Sequence, residues 1–420
     1  MHRSHEPMSI AKGLDAPDDN GKTPRPMKTY AAGALAAAAL LAIIGLVAGS
    51  ESIASLSGEP QEKWNDTPCG DKSVPKVDSD SRVLVTGGAG FIGMSLMASL
   101  GSRDAKTKPQ FVVGIDSFND YYSVSMKRGR AQRLKKEFGY GVIEADVCDT
   151  SVIDKLFEEH KFTHVVHLAA QAGVRYSITH PMTYVHNNLE CVVSLLDYVA
   201  HKKPQPAYVY ASSSSVYGLN KKIPFSELHA IDHPANLYGT SKFADEQIAA
   251  AYHNIHGLKS VGLRFFTVYG PWGRPDMAVS LFTNKIENGE TITLFNGGEM
   301  WRDFTFVDDI VQGIELSMEY CADNAAVFNL GNSKPVKLGY FLEQIEARLG
   351  VKAKFEYQAS NAEIKETYAD ISKAHELLGY QPTTSIESGL DQFMAWYKKL
   401  DKRTRDEWAG GRFKAGRRRR

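Results

Sequence analysis

The chain has 420 residues, 43% of them hydrophobic and 23% charged, a balance ordinary for a globular protein and a length sufficient for two lobes sharing a core. Its 49 basic residues match 49 acidic ones, so no bulk field marks it as a nucleic-acid binder. The four cysteines, Cys69, Cys148, Cys191 and Cys321, have no CxxC or other metal-type spacing, which predicts unpaired thiols and no metal site.

Residues 1–29 are polar and rich in Pro, Gly and charge, the composition of a disordered tail. From Ala31 to Gly49 the chain reads AAGALAAAALLAIIGLVAG, charge-free and about the length that crosses a bilayer as a helix, so 30–50 is expected to be an uncleaved signal anchor. Lys22, Arg25 and Lys28 precede it while Glu51 and Glu59 follow, which predicts a cytosolic amino terminus and a lumenal remainder, with 51–81 as a stem.

Arg82 to Thr86 is a β-branched run that enters Gly87-Gly88-Ala89-Gly90-Phe91-Ile92-Gly93, and Met94 to Leu100 has helical character. Strand, glycine turn and helix in that order make a dinucleotide cradle: Gly87, Gly90 and Gly93 permit the turn, the approach of backbone to pyrophosphate, and close helix packing. A second strand ends on Asp116, where a carboxylate accepts from ribose hydroxyls and repels a 2′-phosphate. With no Arg or Lys immediately after it, NAD is expected rather than NADP. Val142 to Ala145 is a third strand, leading through Asp146 and Val147 toward the adenine edge, and 163–170 is a fourth, ending on Leu168, Ala169 and Ala170.

A helix is expected over 184–200, then a strand over 207–211 that delivers Ser212 to Ser215, and another over 259–265. Tyr238 and Lys242 stand four apart, on one face of a helix, where a lysine ammonium favours the phenolate and makes the tyrosine a candidate base. The alternation of strands and helices predicts an α/β fold with a Rossmann-type, doubly wound parallel sheet, its ligands at the carboxyl ends of the strands. The dinucleotide-binding domain is placed at 82–270, a smaller substrate lobe interleaved with it at 271–400, and a solvated basic tail at 401–420. His164 and His167 fall in a buried strand and are expected to be core residues.

With these stretches in hand, the chain resembles the extended short-chain dehydrogenase/reductase family and, within it, the UDP-glucuronate 4-epimerases. The resemblance runs from about Arg82 to Leu400, through VTGGAGFIG (85–93), IDSFNDYY (115–122), HLAAQAGVRYS (167–177), ASSSSVYG (211–218), YGTSK (238–242), LRFFTVYGPWGRPDMA (263–278), RDFTFVDDI (302–310) and TYADISKA (367–374). It implies that Tyr238 removes the proton of a sugar 4-hydroxyl, that Lys242 holds the tyrosine and bonds the nicotinamide ribose, and that Ser213 bonds the same hydroxyl. Phe265 and Asn188 are implied on the cofactor side. Arg302 is implied at the diphosphate, and Arg274 at the sugar or its carboxylate unless it forms a loop salt bridge; Arg175 either binds substrate or pins backbone. Ser214, Ser215 and Thr267 are neutral donors for a uronate carboxylate. Related decarboxylases and dehydratases carry an acid beside the loop Ser or Thr, and this loop has none, which favours epimerisation over decarboxylation to UDP-xylose; a non-catalytic nucleotide-sugar scaffold is the reading from another class. The resemblance further implies a homodimer through helices near 184–200 and 238–256 and, by analogy, a Golgi membrane location.

Overall fold

The computed structural model of the protein describes Trp64 and residues 74–321, 324–358 and 365–410. The expected anchor at 30–50, the leading tail, most of the stem and the terminal arginines lie outside the described residues. Among the described residues no helix is long and apolar enough to cross a membrane.

Seven strands form the central sheet: β1 (Arg82–Thr86), β2 (Phe111–Asp116), β3 (Gly141–Glu144), β4 (His164–His167), β5 (Ala207–Ser213), β6 (Ser260–Phe265) and β7 (Ala325–Leu330). Their order is β7-β6-β5-β4-β1-β2-β3, and every pairing is parallel. The sequence shows why both faces are covered. In β1, Val83 and Val85 join one hydrophobic cluster, packed with helices α1 (Phe91–Ser102) and α5 (Val307–Met318); Leu84 joins the other, with α3 (Cys191–Ala200) and α4 (Leu237–His256). Continuous apolar strands are what a sheet buried on both sides requires.

Between β2 and β3, α2 (Val124–Phe138) starts where Ser123 Oγ accepts from Met126 N and stops at Gly139, whose φ of 75° suits a glycine. The strand order turns back at β1, between β4 and β2, so the loops after β1, β2, β4 and β5 converge on one edge, the place where open α/β sheets bind ligands. Beyond β6 the chain builds short strand pairs, such as Thr267–Tyr269 with Phe304–Phe306, and then returns through β7 to pair with β6.

The helix expected over 184–200 is broken in the structure. Pro181–Val185 is α-helical, His186–Glu190 is a π turn, and α3 follows. A π turn carries one extra residue per turn, which periodicity does not reveal and which often marks a functional site.

Candidate active site

The turn after β1 is held by its own backbone: Gly90 N donates to Gly87 O at 2.8 Å and Gly88 N to Ile115 O at 3.0 Å. Gly87 has a φ of +70°, and a Cβ on it would stand 2.9 Å from Ala169 N; one on Gly93 would stand 2.2 Å from Gly87 O. No larger residue fits these two places without moving backbone. Phe91 is buried and Ile92 half-buried at the first turn of α1, whose amino end therefore faces the cradle. Asp116 is also built in, accepting from Ala89 N at 3.1 Å and Phe118 N at 2.9 Å. A cation does approach it, but from α2: Lys127 Nζ lies 3.9 Å from the Asp116 carboxylate and is fixed on Asn119 by two bonds of 2.9 Å. Burial pulls the Lys127 ammonium down to about 8, against the attraction of Asp116. The glycine cradle, the helix end and the ribose-side carboxylate fit a dinucleotide.

In the loop after β3, Cys148 N donates to Asp146 Oδ1 at 2.9 Å, and Val147 is buried. The cysteines here correct the sequence expectation. Cys148 and Cys191 form a disulfide, and Cys321 is disulfide-bonded too. The two partners are 43 residues apart, and only the sheet topology brings the loop after β3 against the start of α3. Asp146 and His186 sit beside this pair, with all four potential ligand atoms within 4.8 Å of one another, but the sulfurs are bonded to each other.

Behind β4, Leu168 N donates to Thr86 O and Ala169 N to Thr86 Oγ1, so the small-residue loop is laid along the end of β1. The π turn then makes its contribution. Asn188, fully buried, accepts from Gln171 N at 2.7 Å and donates to Gln171 O and to Ser241 Oγ, both at 3.0 Å. It thus ties the loop after β4 to the helix that bears Tyr238 and Lys242. His164 and His167 are buried strand residues, as expected; burial drives the His167 imidazole down to about 3.

Helix α4 begins sharply because Asn236 Oδ1 accepts from Gly239 N at 2.8 Å. Tyr238 is therefore in the first turn, half-exposed, and Lys242 one turn on, 2% exposed. The helix start abuts the serine loop: a Cβ on Gly239 would lie 2.3 Å from Ser215 O. In that loop Ser213 pairs in register with Phe265 of β6, and its Oγ accepts from Ser215 N at 3.2 Å. The helix, the loop and β6 are locked by a buried ion pair. Arg264 donates to Glu246 twice, at 2.9 and 2.7 Å, and to Tyr217 Oη at 2.9 Å, while Ser212 Oγ donates to Glu246 at 2.5 Å.

Three features of this region escaped the sequence reading. Lys242 Nζ donates to Asp245 Oδ2 at 3.0 Å, a partner not anticipated. Tyr184 packs edge-on to Tyr238, with ring centroids 6.1 Å apart, and donates to the carbonyls of Ala172 and Gly173. Tyr121 donates to Asp276 at 3.3 Å and packs edge-on to Tyr176, with ring centroids 5.0 Å apart, so the IDSFNDYY stretch reaches this wall. A phenol beside a tyrosine helix is a signal that aromatic spacing alone does not separate from core packing.

The arginines are distributed unevenly. Arg274 grips Asp276 through two bonds of 3.0 and 2.6 Å and lies over the Tyr121 ring, which is the loop salt bridge, placed beside the tyrosine wall. Arg302 belongs to the short strand Trp301–Arg302 beyond β6, donating to Trp301 O and Lys365 O. Arg175 is exposed on the turn Val174–Thr179. Thr267 follows β6 directly, and its N donates to Asp303 O at 3.1 Å.

A parallel Rossmann sheet with a dinucleotide cradle and a Tyr/Lys helix beside a serine loop defines an NAD-dependent oxidoreductase-type site. Residues 83–331 match the NAD dependent epimerase/dehydratase family, and the chain belongs to it: the protein is an NAD-dependent enzyme. It is 47% identical over 332 residues to UDP-glucuronate 4-epimerase 3 of Arabidopsis thaliana, covering 75% of this chain and 76% of that one. Among solved structures it is similar to UDP-glucuronic acid 4-epimerase from Bacillus cereus in complex with UDP-glucuronic acid and NAD, with a TM-score of 0.70 at 34% identity, over 76% of this chain and all of that one. A Tyr-to-Phe mutant of that enzyme, in complex with UDP-4-deoxy-4-fluoro-glucuronic acid and NAD, matches with a TM-score of 0.69 at 34% identity over the same shares.

Proposed function

We propose that this enzyme interconverts UDP-glucuronate and UDP-galacturonate. Tyr238 takes the proton of the sugar 4-hydroxyl, Ser213 bonds that hydroxyl, and Lys242 supports the phenolate and the nicotinamide ribose. NAD supplies the hydride acceptor and donor at carbon 4, so oxidation and re-reduction leave no net redox change. Between the two steps the 4-keto sugar turns over. It is a β-keto acid, and what this chain adds is a carboxylate site of neutral donors: Ser214, Ser215 and Thr267 hold the carboxylate without offering proton chemistry that favours loss of carbon dioxide. Arg302 is assigned to the diphosphate, Arg175 to the sugar end, and Asp146, Val147, Leu168, Ala169, Ala170, Asn188 and Phe265 to the cofactor, while Arg274, paired with Asp276, braces the tyrosine wall instead of reaching the sugar.

The observation that carries this reading is the acid-free loop Ser212–Ser215 packed against the amino end of α4. The test is incubation of the full-length protein with UDP-glucuronate, chromatography of the sugar nucleotides and a carbon dioxide assay. UDP-galacturonate without net NADH is expected. UDP-xylose with carbon dioxide would overturn the carboxylate assignment, and no product with NAD bound would point to a scaffold.

From the sequence we also propose a type II membrane protein of the Golgi, anchored by 30–50, and a homodimer paired through the helices near 184–200 and 238–256. Supporting the dimer are Val185, Val193 and Ile255, apolar side chains left exposed there. Carbonate extraction of membranes should leave the protein in the pellet, with the catalytic part protected from protease in sealed vesicles; release by carbonate would refute the anchor.

A further inference from the structure

Lys242 has the role in the proposed reaction that depends most on charge, and its surroundings are unusual. The lysine is 2% exposed and Asp245, one turn on along α4, is 1% exposed. Their hydrogen bond of 3.0 Å uses one carboxylate oxygen; Asp245 Oδ1 has no partner among the described residues. The same is true of His167 Nε2, Tyr208 Oη and Tyr210 Oη, all buried, on strands β4 and β5 beneath the helix. A buried carboxylate held by one ammonium and flanked by unpartnered polar atoms is costly, which is not how a purely structural ion pair is arranged.

The groups that face the pair are few. Along α4 there is Glu246, already saturated by Arg264 of β6 and Ser212 of β5. From β4 comes His167, neutral because burial and the Lys242 charge both push it down. From β5 come Tyr208 and Tyr210, whose phenols burial holds protonated. Asp245 is therefore the only acid on Lys242 among the described residues. Burial raises its carboxyl to about 6, against the pull of Lys242, so its charge is gained within the working range.

We propose that Asp245 is a positioning residue for Lys242: it holds the ammonium one turn along α4 from Tyr238 and offsets the lysine charge on which the proposed phenolate depends. The proposal rests on Tyr238 being the base. The sign follows from Coulomb's law. The lysine charge favours the phenolate and a carboxylate disfavours it, so removing the carboxylate extends activity to lower pH. Seven residues along a helix is about 10 Å, and at an effective dielectric near 20 a unit charge at that distance moves a titration by on the order of one pH unit.

Asp245→Asn keeps an oxygen for Lys242 and removes the charge. The acid limb of kcat/KM for UDP-glucuronate is expected to move lower, by up to about one pH unit where it lies above the Asp245 titration near 6, with KM at neutral pH little changed. Asp245→Ser is the second variant, with the same shift expected, should the amide disturb folding. A substrate-free measurement separates failure of this proposal from failure of the function: phenolate absorbance is titrated in each protein and corrected with its Tyr238→Phe counterpart. A Tyr238 titration moved toward acid in either folded, NAD-retaining variant supports the proposal even if no epimerised product forms. An unmoved or alkaline-shifted titration in both overturns it.

Discussion

Tyr238 sits in the first turn of α4 with its ring against Tyr184, and nothing in that packing requires its hydroxyl. Tyr238→Phe should therefore fold and keep NAD, while epimerisation falls roughly a hundred- to ten-thousand-fold, the loss expected for a positioned acid–base group. Bound NAD released on denaturation, measured beside kcat, separates this from a collapsed site. Glu227 makes a different residue-scale prediction. Its oxygen accepts from Asn329 N at 2.7 Å, yet burial raises its carboxyl from the ordinary 4.5 to about 7. A folded-state value above the unfolded one means that the folded protein binds the extra proton. Stability from this group is then full below pH 4.5 and lost as pH rises through about 7. Glu227→Gln should flatten that part of the stability-against-pH curve, as read from urea midpoints between pH 4.5 and 8; an unchanged slope would contradict the assignment.

At the scale of elements, the site depends on where α4 starts. Asn236 caps it, so Asn236→Ala should cost about 1 kcal/mol in urea unfolding and lower kcat more than it weakens NAD retention, because only the tyrosine turn is loosened. A loss of NAD equal to the loss of turnover would argue against this division. The strand-turn-helix at 82–102, the strand ending on Asp116 and the Tyr/Lys helix were legible because each follows from local chemistry: β-branched runs, a glycine-rich turn, and a tyrosine and lysine four residues apart. The features that were not legible are set by contacts between distant stretches. The Cys148–Cys191 bond joins residues 43 apart, and the π turn at 186–190 satisfies Asn188 in a helix whose apolar spacing reads as regular. Asp245 has no local signal that separates it from other polar helix residues; its burial is a product of the tertiary fold. Lys127 shows the same limit, reaching Asp116 from α2 although no cation follows the acid directly.

For the molecule as a whole, the surface that bears on the proposed dimer is the face beside α4. Ile178, Met182 and Ile255 are 75%, 70% and 71% exposed, and Val174, Val185 and Val193 add to them along the stretch from 174 to 193 and the end of α4. Single exposed apolar residues are common, but a run of them on and immediately before the helices proposed to pair is what an interface between two copies would cover. A dimer formed there would bury the outer side of the π turn, and so stiffen the segment through which Asn188 links the cofactor loop to Ser241. Dimerisation and cofactor retention should then be coupled. Ile178→Asp together with Met182→Glu places two charges in the proposed contact and leaves the core untouched. The expected result is a monomer by light scattering at micromolar concentration, with the thermal midpoint lowered and NAD lost more readily on dilution. A double variant that stays dimeric would move the interface elsewhere, and a monomer that keeps NAD as firmly as the parent would show that the π turn needs no partner to hold its place.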